Sequence, residues 1–559
     1  GMSYLRMNMY RDAERYFERA VKIGYDDPSA LIYWGDMLVS QGKYEEAIEI
    51  YQRFNKEVED EEDKRGTQAI ENARQALAWK ESPSRYQVEV MPDINSRNMD
   101  FSPFYGGDRR DDKTIIFTSS REESEGNDED GWTGQSFMDL YKTTAERKGR
   151  RRRRGQDEDK AVSYADLRWS TPVPLDEEET INSDHHEGTA TYDSRKKELF
   201  FTRCIKQKNQ KLGCGIYKTQ QLGNRWDDTE RQIIGTDTNA NVGHPQLSPD
   251  DKRLYFVSDD YDSRGQHDIF MTTYDRREER WKDPTNLGTP VNTEGREYYP
   301  IVHGDGYLYF SSDGHGGMGG LDVFRVKLDE EGMPDGKVEN MKYPINSNRD
   351  DFHLVWEPGE ETQLGFVSSN RDGGEGSDDI YAVFRTPLVF NLEGVVTNDK
   401  TKEPIPNAEV TLDGSDGASV TITADEDGYY IFDDTKIDKG NNYKLTFKKE
   451  KFLTATGDVS TIGTEISSFE YVPSAKYFIK RLKLNKSLDP IEEPIVLPNV
   501  FFDLGKWDLR PEAMQALDSV VSILKNNPNI VIEMRSHTDY RDSKKNNEVL
   551  SQKRADTTV

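Results

Sequence analysis

Near the end of the chain, Ser536-His537-Thr538-Asp539 is followed by Asn547-Glu548-Val549-Leu550-Ser551-Gln552-Lys553-Arg554-Ala555. His537 beside Asp539 has the outline of an acid–base pair. A hydrolase also needs a nucleophile, and none accompanies them, so the groups at hand bind rather than react. Metal chemistry finds no frame: CxxC and HExxH are absent, and His185-His186 is a lone pair in a polar loop. The glycine-rich stretches Asp313–Gly320 and Asn370–Ser377 match neither a phosphate loop nor a calcium loop and read as turns. The sequence therefore calls for no cofactor, no metal and no catalytic residue. Cys204 and Cys214 are the only cysteines and flank Ile205–Gly213 between two strand-like runs. A hairpin would bring them together, and the sequence is compatible with a disulfide in an oxidising compartment or with two free thiols.

The 559 residues carry 75 Lys and Arg against 104 Asp and Glu, a net charge of −29. That balance argues against nucleic acid or an anionic membrane as the main partner. The basic run of Arg147, Lys148 and Arg150 to Arg154 precedes Asp157-Glu158-Asp159 and reads as a loop insertion. No apolar run is long enough for a transmembrane helix. Gly1-Met2-Ser3 reads as an expression remnant in front of a trimmed sequence.

Four kinds of element must position these groups. In residues 1–82, Tyr10, Ala13, Phe17 and Ala20 recur as Tyr44, Ala47, Tyr51 and Phe54 at a constant offset of 34. Gly35 and Gly42 precede the second helix, and a third helix is expected over Asp60–Lys80 with Ala69, Ala73 and Ala76 on one face. Repeating helical hairpins stack into surfaces that bind peptides or helices, or else pack as an adaptor on the next domain. Over residues 85–385, Phe117, Phe201, Phe256, Phe310 and Phe366 each centre a β-rich run, at a period near 55 after a longer first spacing. A short second strand follows each, such as Asp268-Ile269-Phe270 and Asp322-Val323-Phe324. Five copies predict a five-bladed β-propeller. Residues 388–484 alternate apolar residues between Gly, Asn and Asp turns, which predicts a small antiparallel β-sandwich. Pro490, Pro494 and Pro498 stiffen a linker. Residues 490–559 then predict an α/β domain. Its strands are Val500–Asp503 and Ile530–Met534, its helices Pro511–Leu524 and Asn547–Val559, and Ala513, Leu517, Val520, Val521 and Leu524 point inward.

Several phrases resemble known families. The 34-residue hairpins resemble tetratricopeptide repeats, and Leu247–Lys252 resembles a turn of WD40-like periplasmic propellers. Gly394–Thr397, Pro404–Leu412 and Asp425–Phe432 resemble the carboxypeptidase regulatory-like domain, which has no protease centre. The phrases "FFDxxxxxLRPEA", "HTD" and "NxxLSxxRA" resemble the OmpA C-terminal family, here incomplete. That resemblance implies peptidoglycan binding, with Asp539 and Arg554 holding diaminopimelate of the stem peptide and Thr538 and Asn547 lining the pocket. A carboxylate can accept from the ligand's ammonium, and a guanidinium can grip its carboxylate with two parallel hydrogen bonds. Where the family often has Asn, this chain has Gly505. The domain order as a whole resembles an envelope component of type IX secretion in Bacteroidetes. It implies a non-catalytic scaffold in the periplasm, associated with the outer membrane and lipid-anchored in native form. Its partners would be peptidoglycan and, through the helical repeats and propeller, other envelope or secretion-system proteins. The alternative is a sensor or enzyme accessory whose propeller binds a glycan or peptide.

Overall fold

The computed structural model describes the chain except residues 8, 59–61, 108–112, 123, 125–137, 147–162, 177, 206–212, 224, 236–239, 360–361, 473, 475, 492–499, 529 and 539–540. The basic insertion, Pro494, Pro498 and Asp539 lie outside the described residues. The chain divides into two compact units, Gly1–Thr386 and Pro387–Val559.

The first unit begins with helices α1 (Met2–Arg6), α2 (Tyr10–Lys22), α3 (Ser29–Val39), α4 (Tyr44–Glu57) and α5 (Arg65–Glu81). The repeat offset is visible in packing: Ala13 and Ala47 are both fully buried, as are Phe17 and Tyr51. A Cβ on Gly35 would stand 2.2 Å from the Tyr51 ring, so glycine is what lets α3 and α4 approach. Asp36 accepts from the Tyr51 hydroxyl at 2.7 Å, and burial raises its carboxyl to about 6.

Five antiparallel sheets follow. The inner three strands of the first are Asp100–Tyr105, Thr114–Ser119 and Asp139–Glu146. Those of the second are His186–Tyr192, Glu198–Cys204 and Cys214–Leu222, and of the third Val242–Leu247, Arg253–Ser258 and Asp268–Asp275. The fourth has Glu297–Val302, Tyr307–Ser312 and Asp322–Lys327, and the fifth Asp351–Trp356, Leu364–Ser369 and Asp379–Arg385. The outer strand of the fifth sheet is Tyr86–Val90, from the start of the region, paired antiparallel with Asp379–Arg385. Each sheet is hydrogen-bonded to the next: Glu187 N to Met138 O at 2.7 Å, Glu297 N to His267 O at 2.8 Å, Asp351 N to Leu321 O at 2.7 Å. His244 N donates to Thr202 Oγ1 at 2.9 Å between the second and third sheets. Asp100 N donates to Asp378 O at 2.8 Å, so the first sheet also bonds to the fifth.

A polar motif recurs at four of these junctions: Ile94-Asn95-Ser96 before Asp100, Ile181-Asn182-Ser183 before Glu187, Val291-Asn292-Thr293 before Glu297, and Ile345-Asn346-Ser347 before Asp351. Each asparagine clamps both backbone groups of one buried strand residue. Asn346 accepts from Val323 N at 2.7 Å and donates to Val323 O at 2.9 Å. Asn95 does the same to Ile380, Asn182 to Leu140 and Asn292 to Ile269. The buried acid accepts from the Ser or Thr at the motif's third position, as Asp100 does from Ser96 Oγ at 2.6 Å. Asp100, Glu187 and Asp351 also pair with Arg121, Arg203 and Arg371, which keeps a carboxylate tolerable in the interior.

The helices are docked on this body. Tyr44 donates to Met318 O at 2.9 Å, Asn348 Nδ2 to Ser40 O at 2.7 Å, and Ser84 N to Tyr343 O at 2.8 Å. Met318 is buried among Tyr44, Ala73 and Ala76. The stretch Asp313–Gly320 is thus the turn the sequence indicates and, beyond that, the seat of α4 and α5. A Cβ on Gly316 would meet the Asn72 amide at 2.6 Å.

Cys204 and Cys214 are directly opposed on neighbouring strands and form a disulfide, which resolves the two alternatives.

In the second unit, Glu409–Gly414, Ser419–Thr423, Asn442–Lys448 and Ala455–Ser460 form one sheet. Leu388–Asn398, Tyr429–Phe432, Glu470–Val472, Tyr477–Lys483 and Lys486–Leu488 form the other. Phe390, Leu392, Val410, Leu412, Tyr430, Phe432, Leu445 and Phe447 fill the space between. The expectation of a wholly antiparallel sandwich is corrected: Leu388–Asn398 pairs in parallel with Tyr477–Lys483. The whole of the other sheet is the crossover that a parallel pair requires.

Helices α6 (Pro511–Asn526) and α7 (Lys544–Thr558) lie near their expected places. Pro511 opens α6, where its missing N–H costs nothing, and the Ser543 hydroxyl accepts from Asn546 N at 3.2 Å to cap α7. Val500–Asp503 and Ile530–Met534 are not strands. Among the described residues no neighbour pairs with either, and a lone extended segment cannot hold itself. Val531 is accordingly 97% exposed. Val521, expected inward on α6, is exposed, while Ala513 is buried.

Candidate functional site

The C-terminal candidates are built on α7 and the segment before α6. Asn547 and Arg554 lie seven residues apart on α7, two turns along one face. Asn547 Nδ2 donates to Asp542 O at 3.1 Å, which fixes the loop entering the helix. Thr538 stands on the segment 530–538, which has no regular secondary structure, and makes no hydrogen bond to Arg554.

Arg554 reaches across to residues 502–506. Its Nε donates to Lys506 O at 2.9 Å, an Nη2 proton goes to Asp503 O at 3.1 Å, and the guanidinium carbon lies 5.0 Å from the Phe502 ring centroid. The carboxylate of Asp503 is engaged elsewhere, in an ion pair with Arg510. Lys553 Nζ sits 4.0 Å over the Trp507 ring, a second tie between α7 and this segment. Sequence reasoning named Arg554 but not the group that holds it. The signal was present in Phe501-Phe502-Asp503-Leu504-Gly505-Lys506-Trp507, where a glycine interrupts an otherwise bulky run.

A second place with convergent polar groups lies in the first unit. Each sheet's first strand carries a bulge with one residue at positive φ: Ser102, Thr189, His244, Tyr299 and His353. These residues meet one another. Thr189 Oγ1 bonds Ser102 Oγ at 3.4 Å, the His244 and Tyr299 rings stack at 4.3 Å, and Tyr299 meets His353 edge-on at 5.6 Å. Burial, and the neighbouring imidazoles in the case of His244, hold both histidines neutral, lowered to about 3. No metal-binding cluster of three or more His, Cys, Asp or Glu occurs among the described residues.

Three family models match separate segments: tetratricopeptide repeat over residues 1–59, carboxypeptidase regulatory-like domain over 391–466, and OmpA family over 501–558. These are non-catalytic types of domain. No curated protein matches the chain. Among solved structures, a luciferin-regenerating enzyme is 11% identical with a TM-score of 0.31, over 54% of this chain and 95% of its own. A GH43 endo-arabinanase from Bacillus licheniformis is 13% identical with a TM-score of 0.30, over 52% and 95%. A protein of unknown function from Dyadobacter fermentans is 10% identical with a TM-score of 0.29, over 49% and 73%. Likeness at this level says nothing of activity. Among the described residues, no helix is long and apolar enough to cross a membrane.

Proposed function

We propose that this protein is a non-catalytic scaffold of the periplasm that ties a secretion complex, of the type IX kind, to peptidoglycan by recognising diaminopimelate. The observation that carries the reading is the match of residues 501–558 to the OmpA family, with Arg554 held in place on α7. In this reading Asp539 takes the ammonium of diaminopimelate and Arg554 its carboxylate, while Thr538 and Asn547 line the pocket. Residues 1–82 and 85–385 form the partner-binding arm: tetratricopeptide-like hairpins on a five-bladed propeller whose last blade is completed by Tyr86–Val90. Along the sequence, the sandwich of 388–484 comes between that arm and the binding domain of 490–559. The side chains of Ser102, Thr189, His244, Tyr299 and His353 are engaged with one another, which favours the scaffold over a glycan or peptide sensor. Attachment to the outer membrane through a lipid belongs to the same proposal.

Co-sedimentation with purified sacculi tests it. Arg554→Ala and Asp539→Ala should each lower affinity about ten- to a hundredfold, the worth of one charged hydrogen bond, with circular dichroism unchanged. Undiminished sedimentation of both variants refutes the assigned site.

A further inference from the structure

We infer that the turn Asp503–Lys506, pivoted on Gly505, is the positioning element that aims Arg554 at an anionic ligand. The inference rests on the proposed function for its ligand, but its geometry stands apart from it. Lys506 N donates to Asp503 O at 3.0 Å and closes the turn. Gly505 sits at φ +70°, the left-handed region that residues with a Cβ adopt only with strain. With the chain bent there, the carbonyls of Asp503 and Lys506 both face α7 and receive Nη2 and Nε of Arg554.

The consequence is a division of labour within one side chain. A guanidinium has five N–H donors in a rigid fork. The turn takes the Nε proton and one on Nη2, and among the described residues the other three have no partner. Those three include both Nη1 protons, so the end of the fork remote from the turn is left to grip a carboxylate. Asp503 contributes its carbonyl, while its carboxylate is held by Arg510 and so does not compete for Arg554. The Phe502 ring beside the guanidinium and the Lys553–Trp507 contact restrict swinging of the side chain. A long flexible residue thus meets its ligand already ordered, which removes part of the entropic cost of binding.

Gly505 offers a clean test because a Cβ there would find nothing within 4 Å. Substitution alters the backbone preference and creates no clash. In the intact chain labelled with 15N-arginine, the Arg554 Nε–H signal is assigned by its loss in Arg554→Lys. Solvent exchange of that proton should be about tenfold faster in Gly505→Val, the step expected on losing a charged hydrogen bond. Sacculus affinity should fall by a similar factor. Gly505→Asn should keep both within about twofold, because asparagine enters the left-handed region readily. A merely structural glycine would not move the Arg554 signal while α6 and α7 amides stay protected. Should the valine variant unfold the segment, Gly505→Ala is read with the same probe. Unchanged Nε–H exchange in the folded variant overturns the inference. Faster exchange with a wild-type chain that never sediments would leave the positioning intact and refute the peptidoglycan reading instead.

Discussion

Removing one asparagine clamp should cost as much as leaving a buried backbone N–H without its partner. Asn346 is fully buried and makes three hydrogen bonds, two to Val323 and one from Nδ2 to Asn340 Oδ1 at 2.9 Å. In Asn346→Ala the N–H of Val323 keeps its burial and loses its partner, while its C=O keeps the bond from Met341 N at 3.0 Å. A buried backbone group without a partner costs about 1–3 kcal/mol. That one group sets the scale of the loss before any cavity is counted. Water entering the gap would recover part, which favours the lower half of that range. The strand Asp322–Lys327 carries the penalty, next to the Met318 seat of the helices. A chain of several domains is not expected to unfold in one step, so the local measure is amide hydrogen exchange at Val323, expected to rise about five- to thirtyfold for about 1–2 kcal/mol. Asn346→Asp is the companion variant. It keeps one acceptor but sets an oxygen against Val323 O, so it should be at least as damaging. Exchange changed by less than about threefold in both variants would refute the clamp as a stabilising device.

Three further outcomes follow from the geometry. His353, 1% exposed, is lowered to about 3 by burial; its contribution is complete above the unfolded value near 6.5 and is lost as pH falls from there towards 3. Between pH 6.5 and 5 that amounts to about 2 kcal/mol, so His353→Gln should flatten the loss of stability on that interval, and an unaltered profile would contradict it. Asp378, raised to about 7 by burial and the nearby Asp350, acts in the opposite sense, losing its contribution as pH rises through 7. Reduction of Cys204–Cys214 should lower the stability of the second sheet by up to about 3 kcal/mol, the entropy of a loop of this length; reductant should leave Cys204→Ser/Cys214→Ser unmoved in the same thermal scan. Gly35→Val should loosen the helical hairpins by about 1–3 kcal/mol, because its Cβ would press on the buried Tyr51 ring; helix amide exchange reads the effect.

The sheets were legible because each middle strand is a short apolar run with a phenylalanine at its centre, as in Leu308-Tyr309-Phe310, and in four of the five the third strand repeats an Asp before two apolar residues. The first strands were not. Asp351-Phe352-His353 opens on a buried acid and bulges at positive φ, so it shows neither alternation nor strand-like composition. The asparagine motif escaped because its four copies lie in polar segments that read as loops, and its meaning depends on a strand elsewhere in the chain. Packing of the helices on the next domain is one of the two readings the repeats allow, but its seat on Met318 escaped because a glycine-rich turn looks the same whether water or a tyrosine faces it. In the candidate site, Arg554, Thr538 and Asn547 enter as what the resemblance to the OmpA C-terminal family implies, carried by the phrases "HTD" and "NxxLSxxRA". The Asp503 and Lys506 carbonyls were not legible, since a backbone acceptor carries no residue signature.

Both ends of the sheet region leave from the same rung of one ladder. Tyr86 pairs with Arg385 at the edge of the fifth sheet, and the ladder runs inward to Val90 and Tyr381. Tension applied across Tyr86 and Arg385 would therefore pull the ladder open like a zip, one pair at a time, rather than shear all its bonds at once. The residues just outside that rung are tied unusually well: Thr386 N donates to Arg85 O at 2.8 Å, Thr386 Oγ1 to the same oxygen at 2.6 Å, and Arg85 Nη2 to Thr386 O at 2.9 Å. This knot takes a tensile load before the first rung does. The seat of Tyr44 on Met318 carries load around the ladder by a second route. Mechanical strength here depends on a few bonds at the seam rather than on the depth of the sheets behind it.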